Sequence, residues 1–215
     1  MSYKTAFLSL LFASTLFFSC TKNSEPSHNK TKKNQLFTVL DSTQPGISFI
    51  NTIENEEDFN IFLYRNFYNG GGVAIGDVNN DGFPDIYLTA NRKKNKLFLN
   101  KGDFTFEDIS VSARVEGKKA WSTGVVFVDI NSDDLLDIYV CNAGNIKGDD
   151  QKNELFINNG DLTFTEKAEE YNLADSGFTT HAAFFDYDKD GDLDVYMLNN
   201  SFIPVASLCY ENKRD

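Results

Sequence analysis

Apolar and polar positions alternate here in short bursts. The runs VAIG at 73–76, VVFV at 125–128 and AAFF at 182–185 each lead into an acidic stretch. A second run follows each stretch: DIYLTA from Asp85, DIYVCN from Asp137 and DVYMLN from Asp194. Runs of this length, rich in β-branched and aromatic residues, predict strands joined by the acidic segment. Further along, NKLFLNKGDFTFEDIS from Asn95 and NELFINNGDLTFTEKA from Asn153 share the frame N-x-L-F-x-N-x-G-D-x-T-F. Its turns, Lys101-Gly102-Asp103 and Asn159-Gly160-Asp161, predict a hairpin. One period therefore holds four strands in order, and four strands in roughly 50 residues is the pattern of a propeller blade. The predicted fold class is all-β, a partial and open β-propeller of four-stranded blades with an acidic loop between the first two strands of each.

The acidic segments carry the chemistry. They read DVNNDGFPD from Asp77, DINSDDLLD from Asp129 and DYDKDGDLD from Asp186, with oxygen-bearing side chains at positions one, three, five and nine. A hard cation takes six to eight oxygens, and carboxylates at alternate positions of a tight turn can converge on one point, so Ca²⁺ is the expected cofactor. No His or Cys interrupts the loops, which argues against zinc and copper. An EF-hand requires a bidentate Glu at position twelve and flanking helices, whereas position twelve here is Leu88, Val140 and Met197. A nonapeptide calcium β-helix would repeat far more often. The competing reading, solvated acidic turns, leaves the fixed oxygen positions without a reason; calcium is expected as a structural staple, with a role in ligand binding as the alternative.

Charge sharpens the picture. The formal net charge is −12, and the three loops account for nearly all of it. Carboxylates clustered in one turn repel unless a cation sits among them. Nucleic acid is excluded as a partner by the lack of a basic stripe.

These loops and hairpins resemble the FG-GAP or VCBS repeat family, the blades of integrin α-subunit propellers, and especially bacterial members related to cartilage acidic protein and UnbV. The resemblance rests on GGGVAIGDVNNDGFPDIYLT at 70–89, WSTGVVFVDINSDDLLDIYV at 121–140 and THAAFFDYDKDGDLDVYML at 180–198, and runs from about Leu36 to Asn200. It implies calcium held by side chains at positions one, three, five and nine and by the carbonyl of position seven. The first site would be Asp77, Asn79, Asp81, Phe83 and Asp85, and the second Asp129, Asn131, Asp133, Leu135 and Asp137. The third would be Asp186, Asp188, Asp190, Asp192 and Asp194. Asp134 stands where the other loops have Gly82 and Gly191, so the second site should be the weakest.

The N-terminus predicts the compartment. Lys4 precedes an apolar run from Ala6 to Phe18, too short for a membrane-spanning helix and suited to a secretory signal over 1–19. Ser19-Cys20 resembles a lipobox, which implies lipidation of Cys20, an outer-membrane lipoprotein exposed at the cell surface, with a periplasm-facing one as the alternative, and membrane contact through the lipid only; ordinary cleavage nearby is the alternative to lipidation. Residues 20–35 would form a polar tether. Segment 36–69 reads as a partial blade with lead-in strands, Leu36-Phe37-Thr38 echoing the T-F strand. Blade 1 is then expected over 70–120, blade 2 over 121–177, and an incomplete blade 3 over 178–215, the front of a longer protein.

Other candidates read as structural. Cys141 and Cys209 are expected as free thiols, and His181 stands where the other repeats have Gly72 and Gly124. Gly70-Gly71-Gly72 lacks the G-K-[ST] of a phosphate cradle and suggests close backbone packing near the propeller axis. No nucleophile, base and orienting group fall into a recognisable arrangement, so no catalytic residues are assigned. The expected function is a surface-anchored, calcium-binding module for adhesion or for a glycan or protein ligand. The alternative is the propeller part of a polysaccharide-processing enzyme whose catalytic region lies elsewhere.

Overall fold

The computed structural model describes residues 36–39, 46–119, 121–144 and 150–200. The chain divides into two compact units, Met1–Val39 and Leu40–Asp215. In the first, residues 36–39 are described and contain neither helix nor strand. The expected signal segment, Cys20, the tether at 20–35 and Cys209 lie outside the described residues. Among those described, no helix is long and apolar enough to cross a membrane.

Among the described residues, the second unit holds three antiparallel sheets. The first is a four-stranded meander, β1 (Val73–Gly76), β2 (Asp85–Leu88), β3 (Lys96–Asn100) and β4 (Phe106–Asp108). After a single helical turn, α1 (Ser110–Ala113), the meander repeats as β5 (Ser122–Val128), β6 (Asp137–Asn142), β7 (Glu154–Asn158) and β8 (Phe164–Glu166). A third sheet pairs β9 (Phe178–Phe185) with β10 (Asp194–Asn200). Register repeats with the sequence: Gly76 pairs with Asp85, Val128 with Asp137 and Phe185 with Asp194, so each acidic loop spans the same corner of its sheet. These are successive blades of an open β-propeller, as the sequence predicts, with the one-turn helix α1 as an addition.

Alternation along the strands explains how the sheets stack. Tyr87, Leu97 and Leu99 on one face of the first sheet share a core with Val125, Ile138, Val140 and Phe156 of the second. The opposite face of the second sheet repeats the arrangement, Tyr139, Leu155 and Ile157 packing with Ala182, Phe184, Val195 and Met197. Each large side chain so buried contributes about 1.5–3 kcal/mol of transfer free energy. Hydroxyls stitch the inner strands together: Thr89 Oγ1 donates to the Thr123 carbonyl, and Thr123 Oγ1 donates to the Thr179 carbonyl at 2.6 Å.

The expected close backbone approach is present. A Cβ on Gly72 would lie 2.7 Å from the Thr123 carbonyl oxygen, and one on Gly124 would lie 2.6 Å from that of Thr180. His181 occupies the equivalent position in the third sheet and is exposed. Cys141 is a free, buried thiol on β6.

The lead-in segment corrects the sequence reading. Residues 36–39 and 46–69 hold no strand, only turns and one isolated bridge between Glu56 and Phe59. Instead, Phe59, Tyr64 and Phe67 gather round Trp121 with ring centroids 5.1–5.6 Å apart. Large aromatic rings spaced for turns rather than for a two-residue period bury more surface as a cluster than as one side of a ladder.

Candidate functional site

Each acidic loop is folded around its own carboxylates. Position one accepts from the backbone N–H of position six, Asp77 from Gly82 at 2.7 Å, Asp129 from Asp134 at 3.0 Å and Asp186 from Gly191 at 3.2 Å. Position five accepts from position seven, Asp81 from Phe83 and Asp133 from Leu135 both at 2.9 Å, and Asp190 from Asp192 at 3.1 Å. Two backbone positions per loop turn left-handed to allow this. At position six φ is 88° for Gly82, 65° for Asp134 and 97° for Gly191, and at position four 58° for Asn80, 59° for Ser132 and 65° for Lys189. The second left-handed residue escaped sequence reading, although an Asn beside the Asp-Gly turn is a usable signal.

Position nine plays a different part. Asp85 and Asp137 are wholly buried. Asp85 Oδ2 accepts from Val78 N at 2.9 Å and its Oδ1 from Asn100 N at 2.8 Å; Asp137 repeats this with Ile130 N at 3.1 Å and Asn158 N at 2.8 Å. Asp194 accepts from Tyr187 N at 2.7 Å. One carboxylate thus ties the loop to the L-F-x-N hairpin. Burial pushes the Asp85 and Asp137 carboxyls up, backbone N–H groups pull them down, and the neighbouring Asp77 and Asp81, or Asp129 and Asp133, push them up again. The charges nearest these buried groups are negative, which favours a cation among them.

In the third loop Asp186, Asp188 and Asp194 each bring a carboxylate oxygen within 4.8 Å of the others, the one such group of His, Cys, Asp or Glu among the described residues. In the first two loops position three is Asn. Asn79 Nδ2 donates to Asp81 at 2.9 Å and Asn131 Nδ2 to Asp133 at 2.9 Å, so an amide contacts the position-five carboxylate there. The donor sets contain oxygen alone, and a carboxylate oxygen that accepts one N–H keeps a lone pair for a metal. The residues therefore fit a hard divalent cation, and the third loop fits it with the most charge. In that loop Asp190 is held low by the Asp192 N–H and by a side-chain hydrogen bond with Asp192, and Asp192 is raised by that same side-chain hydrogen bond and then by the Asp190 charge.

The same repeat is recognised by comparison. A family model described as FG-GAP-like repeat matches residues 77–140 and 143–197, more than half of the chain. The chain belongs to the FG-GAP-like repeat family. Among curated relatives, cartilage acidic protein 1 of Xenopus tropicalis is 34% identical over 145 residues, 65% of this chain and 21% of that protein. The human protein of that name is 29% identical over 137 residues, 63% of this chain and 20% of its own length. This FG-GAP chain spans about a fifth of the length of those relatives.

Proposed function

We propose that this chain is a calcium-stapled propeller module, carried at the cell surface by lipid on Cys20, that presents its loops to a glycan or protein ligand. The observation that carries the reading is the repetition of one oxygen-lined loop at the same corner of three sheets, with three carboxylates drawn together in the last. Bound calcium would supply the positive charge that offsets those carboxylates, with the carbonyls of Phe83, Leu135 and Asp192 as further oxygens. Asp85, Asp137 and Asp194 then transmit the ion's grip to the strands, because each shares its carboxylate with backbone N–H groups. Groups repeated on every blade build a scaffold, whereas catalytic groups are normally unique, which supports binding rather than turnover. The test is calcium titration by calorimetry, followed by a glycan and matrix-protein array read with calcium and with chelator. Calcium-dependent capture without product formation is expected. Absence of calcium binding up to about 10 mM, well above the range of extracellular modules, sinks the proposal.

A further inference from the structure

Where the blades repeat they build the scaffold, so a site peculiar to one ligand belongs where they part. The connections after β4 and after β8 start alike. Arg114 N donates to the Val111 carbonyl at 3.2 Å and Asn172 N to that of Glu169 at 3.2 Å, and both residues stand in left-handed backbone, at φ 62° and φ 57°. The fold asks only for a residue that tolerates this conformation, and Asn does so more readily than Arg. Folding alone does not account for the arginine. The residues that follow differ too: the first connection carries Lys118-Lys119, the second the cation-free Ala174-Asp175-Ser176-Gly177.

The first connection and the second blade border a groove of about 580 Å³, within the range of small-ligand sites. Both blades that form it are complete four-stranded sheets. Its charged lining is Lys94, Arg114, Lys118, Glu116 and Glu166. Lys94 Nζ donates to the Gly117 carbonyl at 2.6 Å, which holds the ammonium beside the groove with further N–H groups to spare. The Arg114 and Lys118 side chains make no hydrogen bond or ion pair among the described residues, Asp161 being the carboxyl that feels the Arg114 charge. Glu166 uses one oxygen, Oε1, to accept from Ala168 N at 2.9 Å and Leu155 N at 3.4 Å, and keeps Oε2 as an acceptor. Val111, Phe156 and Phe164 supply the apolar lining.

We propose that this groove binds a uronic acid unit of an acidic glycan, the sugar carboxylate held by the Arg114 guanidinium with Lys94 and Lys118 beside it, and the ring hydroxyls donating to Glu116 and Glu166. A planar guanidinium presents paired N–H groups that match a carboxylate. Three cations against two carboxylates leave the groove net positive on a chain of charge −12, so it offers an anion a local attraction that the molecule as a whole does not. A sugar is favoured over an acidic peptide because Glu116 and Glu166 need hydroxyl donors, which a uronate carries beside its carboxylate and a run of acidic side chains lacks. This site gives the ligand of the proposed binding role its chemistry; it rests on that role but not on calcium.

The experiment is calorimetry on the full chain carrying Cys20→Ser, which prevents acylation. The probes are a glucuronic acid oligomer, the neutral glucose oligomer of the same linkage and length, and an oligoglutamate of equal charge, each in chelator and in calcium. In chelator the glucuronate oligomer should bind with a dissociation constant below about 1 mM, at least about tenfold more tightly than either other probe. Arg114→Asn, which installs the side chain that the second connection carries in the same backbone, and Lys118→Ser should each weaken it about tenfold or more with an unchanged melt. Lys101→Ser, which removes a cation outside the groove, should leave it unchanged. Glucuronate binding no tighter than that of the neutral oligomer or of oligoglutamate, binding that survives Arg114→Asn, or an equal loss in Lys101→Ser would each overturn the proposal. Glucuronate binding through Arg114 in a chain that takes up no calcium would support this site and sink the calcium staple.

Discussion

Asn80 Nδ2 donates to the backbone carbonyl of Asp134 at 2.9 Å, joining the first acidic loop to the second. Both residues sit in left-handed backbone, Asn80 at φ 58° and Asp134 at φ 65°. Asp134 alone among the three position-six residues carries a side chain there, and an L-residue in that region is strained by about 1 kcal/mol, offset partly by the flexibility Gly adds to the unfolded chain. Asp134→Gly should therefore raise stability by about 0.5 kcal/mol and tighten calcium at the second loop. Gly82→Ala, where a Cβ meets nothing within 4 Å, should cost about 1 kcal/mol through backbone strain alone. Urea melts of both variants check this; a destabilised Asp134→Gly would contradict it.

Asn158 gives a second prediction. Removing its amide leaves the Val78 carbonyl in a buried setting, and the Leu136 carbonyl and Gly160 N–H in part-buried ones, without their side-chain partner. Asn158→Ala should cost about 2–3 kcal/mol, while Asn100→Ala, its counterpart in the first blade, where Nδ2 donates to the carbonyl of the exposed Pro84, should cost about 1 kcal/mol. Equal losses in chemical denaturation would show that the inter-blade bond carries little.

Strand order, loop placement and the hairpins were legible because loop, strand and turn signals recur in phase. Inter-blade bonds such as Asn158 to Val78 were not, since a repeat marks which residues are equivalent without showing which neighbour each one meets. The position-nine aspartates illustrate the gap: the sequence counts Asp85 with the other ligands, and only the sheet register shows it bonded to the hairpin at Asn100. The cluster of Phe59, Tyr64, Phe67 and Trp121 was hidden for another reason. Its members come from two distant segments and follow neither a two-residue nor a helical period.

Glu154 supplies a pH prediction. It is 2% exposed, accepting from Lys118 N at 2.9 Å and from Asn142 Nδ2 at 3.4 Å. Burial raises its carboxyl above the usual range more than these donors and Lys119 lower it. The folded state thus holds this proton more tightly than the unfolded one. Its stabilising effect is complete below the unfolded value near 4.5 and is lost as pH rises through the folded value. Glu154→Gln should stabilise the chain at neutral pH and remove that decline; thermal melts from pH 4 to 8 with an unchanged slope would rule it out.

The Cys141 thiol should be inert. It is buried, and desolvation with the nearby Asp175 charge pushes it up to about 12. In a chain carrying Cys20→Ser and Cys209→Ser, a thiol reagent at pH 8 should label the native protein at least about a hundredfold more slowly than the urea-unfolded one. Comparable rates would mean that the second and third sheets separate readily.

Calcium should stabilise the fold through all three loops, with the third contributing most. An ion that binds the folded chain alone, at tenfold excess over its dissociation constant, adds about 1.4 kcal/mol per site. That corresponds to roughly 3–5 °C per site for a domain of this size. Asp188→Ala removes one of the three carboxylates that converge in the third loop, while Asn79 and Asn131 hold the same position in the others. The variant should keep the chelator midpoint of the wild type and lose at least a third of the calcium-induced rise. Because Asp188 accepts a single loop N–H, from Asp190 at 3.3 Å, its loss disturbs the metal-free fold little, which separates ligation from scaffolding. A wild-type midpoint that is the same in calcium and in chelator would remove the metal from the account, and an Asp188→Ala shift equal to the wild type's would move the tightest site to another loop.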